Sequence, residues 1–160
     1  MRKVNIGEPG FRWDEDDPEG FRAGLFRPGP DLGAERLGLS VYEIPAGQAL
    51  CPYHYEYGEE EWLLVLAGEA TVRHPGGEEV LGPWDLTCFP VGPEGAHEIR
   101  NDGEATIRVL MFSNVAHPTA TAYPDSDKVG VWTGVEGEDV MVHRSSHVGY
   151  YSGEPRLEDS

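Results

Sequence analysis

The stretch PYHYEYGEEEWLLVLAGE, residues 52–69, runs one histidine and a crowd of carboxylates straight into a strongly apolar segment. Side chains two apart in a strand point the same way, so His54 and Glu56 share a face while Tyr53, Tyr55 and Tyr57 take the other. A turn at Gly58 follows. The next strand begins at Glu61, whose phase groups it with Leu63 and Val65 and sets it against Trp62, Leu64 and Leu66. Because it is apolar on both phases, this strand is expected to be buried on both faces. A carboxylate at its mouth then needs a partner.

A second stretch, PWDLTCFPVGPEGAHEIRN (83–101), supplies a strand, a Pro-Val-Gly turn and His97 at the start of a further short strand. Singly, the run Glu59-Glu60-Glu61 reads as a solvated turn and a lone histidine as a satisfied side chain. Two hairpins that each bring imidazole or carboxylate to one mouth make a metal site, since these donors together hold divalent first-row ions.

The rest of the chain fits a β framework. Short strand candidates at 36–44, 61–68, 69–74, 78–81, 85–90, 97–101 and 105–113 are closed by turns such as PAG (45–47), PGG (75–77) and NDG (101–103). Strands of this length and spacing read as an antiparallel sandwich or a small barrel. Residues 1–34, rich in Gly, Pro and acidic residues, form an N-terminal arm packed on the barrel of residues 35–115. Residues 116–160 form a C-terminal extension with strand candidates at 128–133 and 139–143 and an end, from Glu154, expected to fray.

The chain of 160 residues fits one domain. Its formal net charge of −17 repels a nucleic-acid backbone and an anionic membrane surface, so neither is an expected partner. Only Lys3 and Lys128 are lysines, which is compatible with a salt-rich cytoplasm. No apolar h-region opens the sequence and no apolar run reaches the roughly 20 residues of a membrane span, so a cytoplasmic location is expected. Cys51 and Cys88 do not make a disulfide framework and are expected to be buried thiols.

The two stretches resemble the signature motifs of the cupin superfamily, Gly-x5-His-x-His-x3-4-Glu-x6-Gly and Gly-x5-Pro-x-Gly-x2-His-x3-Asn. Gly47 precedes His54 with one residue too many, and His54-x-Glu56-x4-Glu61-x6-Gly68 then runs in register. Trp84 replaces the first glycine of the second motif, Pro90-x-Gly92 matches, two extra residues precede His97, and His97-x3-Asn101 matches again. The resemblance covers about residues 36–113 and is that of a small single-domain, cupin-2-like protein. It implies an all-β, cupin-type double-stranded β-helix, a jelly-roll barrel with N- and C-terminal extensions, that pairs as a homodimer.

Carried over residue by residue, the motifs imply His54, Glu56, Glu61 and His97 as ligands of a divalent ion, Mn²⁺, Fe²⁺, Zn²⁺ or Ni²⁺. Glu56 stands where the family has its second histidine, which makes the set harder and favours Mn²⁺, Fe²⁺ or Mg²⁺ over Cu⁺. An alternative register uses Glu60 in place of Glu61, but its strand phase points it away. Glu56 and Glu60 are the candidate bases, and Tyr42, Trp62, Phe89, Asn101, Arg108 and Met111 are expected to wall the pocket.

The resemblance implies a metal-dependent enzyme on a small polar molecule, of isomerase, dioxygenase or decarboxylase type. The alternatives are a non-catalytic small-ligand-binding or sensing module and a structural barrel for dimer assembly. Arg36, Arg73, Arg100 and Arg108 form no visible phosphate cluster. The i, i+4 pair in HRSSH (143–147) sits in a loop-like context, His74 and His117 flank turns, and Cys51, three residues from His54, is expected on the opposite strand face.

Overall fold

The computed structural model describes residues 1–155. In chain order the described strands are β1 (Gly24–Phe26), β2 (Leu37–Ile44), β3 (Tyr55–Glu56), β4 (Glu61–Ala67), β5 (Ala70–His74), β6 (Gly77–Leu81), β7 (Leu86–Phe89), β8 (Glu98–Arg100), β9 (Ile107–Asn114), β10 (Thr119–Tyr123), β11 (Lys128–Trp132) and β12 (Val140–His143). One helical turn, α1 (Gly29–Leu32), follows β1. No described helix is long and apolar enough to cross a membrane. The expected frayed end lies, from Arg156 onward, outside the described residues.

All strand pairings are antiparallel and build three sheets, ordered β1-β2-β9-β4-β7, β12-β11-β10-β3 and β6-β5-β8. Register sorts the five-stranded sheet into two faces, because residues directly opposite one another share a side. Ser40, Met111, Leu63 and Thr87 stand in one row and Ser113, Glu61 and Phe89 in the next. These rows face the core, where Leu63, Val65, Ile44 and Val109 meet Val72 and Ile99 of the three-stranded sheet. Leu63 and Val65 are fully buried, and removal of each such side chain from water contributes about 1.5–3 kcal/mol.

The opposite face carries Val41, Leu110, Leu64 and Leu86 in one row and Leu39, Phe112, Trp62 and Cys88 in the next. Here the expectation of a strand buried on both sides is corrected. Trp62, Leu64 and Leu66 are only half-buried, because among the described residues the core cluster lies on the inner side of β4, against Leu63 and Val65.

Strands at 128–133 and 139–143 appear as β11 and β12, and the alternation read before Gly58 appears as the short β3, whereas β1 and β10 are not among the strand candidates. The segment after residue 116 meets the barrel through a strand pairing. It supplies β10, which pairs with β3 and sets Thr121 directly opposite Glu56.

Candidate metal centre

Two hydrogen-bonded loops bring the site together. His54 and His97 form an isolated bridge in which each backbone N–H donates to the other's carbonyl, at 3.0 and 2.8 Å. The turn before His97 depends on Gly95, where a Cβ would lie 1.7 Å from the Pro90 carbonyl oxygen. Glu61 enters from the first residue of β4, on its inner face.

The donors converge. Glu61 Oε2 lies 3.6 Å from His54 Nε2 and 3.5 Å from His97 Nε2, and one donor atom from each of the three residues lies within 4.8 Å of the others. Donors bound at about 2.1 Å around one ion stand about 3 to 3.5 Å apart, so this spacing fits a first-row cation. Each imidazole is oriented from behind, with His54 Nδ1 2.9 Å from the Pro52 carbonyl and His97 Nδ1 2.9 Å from the Gly95 carbonyl. A carbonyl only accepts, so Nδ1 carries a proton in both rings and Nε2 is the atom that each turns to the site, where a bound ion would stand in place of a second proton. His97 Nε2 and Glu61 Oε2 are buried without a hydrogen-bond partner, an arrangement that a cation would satisfy.

Burial, and then the neighbouring His54 charge, push His97 down to about 4, which keeps it neutral. Burial alone would raise Glu61, but the nearby His54 and His97 imidazoles hold it below the usual carboxylate range. Burial works against a charge on His54, yet Cys51 and Glu61 outweigh it and raise this imidazole above its ordinary value.

Cys51 corrects one expectation. Its Sγ lies 3.6 Å from His54 Nδ1, on the same side as the imidazole and not across a strand, because the backbone bends at residues 50, 51 and 53 and period-2 alternation does not apply there.

Residues 40–113 match the cupin domain family Cupin_2. They form a cupin domain. Among solved structures, the chain is similar to a candidate sugar phosphate isomerase from Acidithiobacillus ferrooxidans, with 25% identity, a TM-score of 0.74 and 81% of each chain covered. It is similar to a sugar phosphate isomerase of the cupin superfamily from Silicibacter pomeroyi, with 18% identity, a TM-score of 0.79, and 91% of this chain and 94% of that one covered. The polyketide cyclase RemF from Streptomyces resistomycificus shares the fold at 23% identity and a TM-score of 0.57, with 71% of this chain and 79% of that one covered. No curated protein matches the chain. The all-β reading is therefore that of a cupin jelly roll.

Within this cupin site the second motif position, Glu56, stands outside the three-residue group. Its Oε1 is 3.9 Å from His54 Nε2, and both its oxygens accept from the Thr121 hydroxyl at 2.8 Å. Burial pushes Glu56 up to about 7, against the lowering effect of that hydrogen bond. Glu60 turns outward, where its Oε1 accepts from the Trp62 indole at 2.8 Å.

The expected pocket residues divide by strand phase. Tyr42, Phe89 and Met111 point inward, and Tyr42 and Met111 border a groove of about 460 Å³ that reaches Glu61. Trp62 and Arg108 are corrections: both lie on the outer face, Trp62 stacked on Phe112 and Arg108 paired with Glu43 at 2.8 Å, because each is one residue out of phase with the inward set. Asn101 is buried, and its amide is spent on backbone groups of Ile44, Ala105 and Gly103. His143 and His147 are exposed, around a single 3-10 turn. Thr121 and Trp132 had no signal in the sequence beyond their polar hydrogen-bonding groups, since their approach to Glu56 needs a strand pairing across some 65 residues.

Proposed function

We propose that this cupin is a metal-dependent enzyme of the cytoplasm that acts on a small polar molecule, of isomerase, dioxygenase or decarboxylase type. The observation that carries the reading is the pair of buried, unpartnered atoms, Glu61 Oε2 and His97 Nε2, aimed at one point beside His54 Nε2. Two imidazoles and one carboxylate suit Fe²⁺ or Mn²⁺ and leave coordination positions open for a ligand. When bound, such an ion supplies a Lewis acid that polarises a substrate oxygen.

The chain's own groups fit that role. His54, His97 and Glu61 hold the ion, Glu56 stands within reach as a proton acceptor, and the groove past Tyr42 and Met111 gives a small molecule its approach. The likeness to the Acidithiobacillus protein makes hydroxy-carbonyl sugars the first compounds to assay. The free thiols of Cys51 and Cys88 suit a reducing compartment.

Elemental analysis of protein purified without added metal or chelator, on wild type and His97→Ala together, tests the reading. Near-stoichiometric Fe or Mn in the wild type and its loss in the variant are expected. No metal in either protein, even after incubation with excess metal, would overturn the reading in favour of a non-catalytic ligand-binding cupin. The same proposal includes pairing as a homodimer through the half-buried outer face of the five-stranded sheet.

A further inference from the structure

The geometry points to Thr121 as a positioning residue that holds Glu56 off the metal, so that the centre keeps two histidines and one carboxylate despite a fourth motif donor within reach. This inference rests on the metal-centre reading above.

Glu56 and Thr121 are directly opposed across the β3–β10 pair, on one face. Thr121 is 1% exposed, and its hydroxyl stands 2.8 Å from both Glu56 oxygens. The direction of that proton is fixed from behind. Trp132 Nε1 lies 2.7 Å from Thr121 Oγ1, and an indole N–H can only donate. Thr121 therefore accepts from Trp132 and must spend its single proton on the carboxylate.

The indole reaches this position because Gly130, opposite Thr121 on β11, has no side chain; a Cβ there would lie 3.0 Å from Trp132 Cζ2. Three consecutive features of the C-terminal strands thus act on one carboxylate. The consequence is visible in the distances. Glu61 Oε2 is within 3.6 Å of both Nε2 atoms, whereas Glu56 approaches only His54, at 3.9 Å, and is not part of the converging group. With Glu56 retained by Thr121, an ion has a coordination position left for water or substrate; without the hydroxyl, the carboxylate is free to turn and fill it.

The test uses Mn²⁺ alone as probe. Its affinity is read from the free-ion electron paramagnetic resonance signal, and its water count from proton relaxation of the bound ion. Thr121→Val should bind Mn²⁺ about tenfold more tightly, the scale on which outer partners tune a site, and should show a lower relaxation enhancement as a water gives way to Glu56. Thr121→Ser should restore wild-type values, and Trp132→Phe should move both readouts in the direction of Thr121→Val.

Should Thr121→Val not fold, Glu56→Gln decides. It should leave the relaxation enhancement unchanged, because Glu56 is not on the ion. A rise in that signal would show that Glu56 is already a ligand and would overturn the inference, as would Thr121→Val with wild-type affinity and water count. Wild type that binds no Mn²⁺ at all would overturn the metal reading and this inference with it; normal binding with unresponsive variants would overturn the inference alone.

Discussion

The ring of Phe89 lies flat on the imidazole of His97, with centroids 3.7 Å apart and planes 9° from parallel. Phe89 is also the direct cross-strand partner of Glu61, so one side chain braces two of the three converging donors. The Gly95 carbonyl fixes the His97 ring in its plane and Phe89 fixes its tilt. Phe89→Ala is expected to cost about 3–5 kcal/mol of stability through the cavity it leaves. Metal affinity should fall about 10- to 100-fold, as when a ligand loses its outer support. Phe89→Leu should recover most of the stability and little of the affinity. Equal recovery of both, in a urea titration beside a metal titration, would assign Phe89 to packing alone.

Arg73 ties the segment before His54 to the end of β10. Its guanidinium lies 4.0 Å from the Tyr53 ring centroid and donates to Asp125 Oδ1 at 3.0 Å. The Arg73 hydrogen bond holds the Asp125 carboxyl below its ordinary value. A carboxylate with a lowered folded value contributes stability that is present above the unfolded value and is lost as pH falls through the folded one. Asp125→Asn should therefore be less stable than wild type at neutral pH, and the two urea midpoints should converge as pH drops below the ordinary aspartate range. The gap will be small, because the pair is partly solvated. A gap that persists unchanged into acid would mean that the ion pair contributes nothing.

Strand phase carried much of this site in the sequence. Alternation places Glu61 inward with Leu63 and Val65, turns Arg100 outward beside Glu78 and Asp102, and buries His97, Ile99 and Asn101 together. It fails where the backbone is not extended, as at Cys51 in the bends before His54. It also carries no information about which distant strands pair. The β10 sequence TATAY lacks the large apolar residues that mark a buried strand, yet Thr119, Thr121 and Ala122 are buried because small side chains fit between β3 and β11. The hold on Glu56 was invisible for that reason.

Glu56→His would restore the usual cupin ligand pattern. An imidazole at this position has its own lone pair for the ion and cannot accept the Thr121 proton at two atoms as the carboxylate does. Affinity for Ni²⁺ and Zn²⁺ should rise relative to Mn²⁺, since imidazole suits those ions better than carboxylate. Competition between Zn²⁺ and Mn²⁺ followed calorimetrically measures the change. An unchanged preference would mean that residue 56 cannot reach the ion in either form.

Asn101 separates fold from site. Its Nδ2 donates to the Ile44 and Ala105 carbonyls at 2.8 and 2.9 Å, and its Oδ1 accepts from Gly103 N at 3.1 Å. All three bonds are to backbone, so the residue closes the β8–β9 turn. Asn101→Ala should cost about 2–4 kcal/mol, because it leaves buried carbonyls unpaired. Metal content per folded molecule should stay at the wild-type level, and its loss in protein shown to be folded by circular dichroism would give Asn101 a part in the site.

The proposed homodimer is tested on the outer face of the five-stranded sheet. Leu110, Leu64 and Leu86 stand side by side across β9, β4 and β7, and they grade from 7% exposed at Leu110 to 55% at Leu86. An apolar row that opens outward toward an edge strand is costly in water and is covered when a second sheet packs on it, as homodimer interfaces do. The chain alone has a mass of 17.6 kDa, so light scattering should give twice that value for wild type. Leu86→Asp introduces a charge at a position that is already half in solvent in the single chain, so it should leave the folded protomer nearly as stable and should halve the mass. A wild type that scatters as one chain, or a Leu86→Asp protein that still scatters as two, would place the interface elsewhere or remove it.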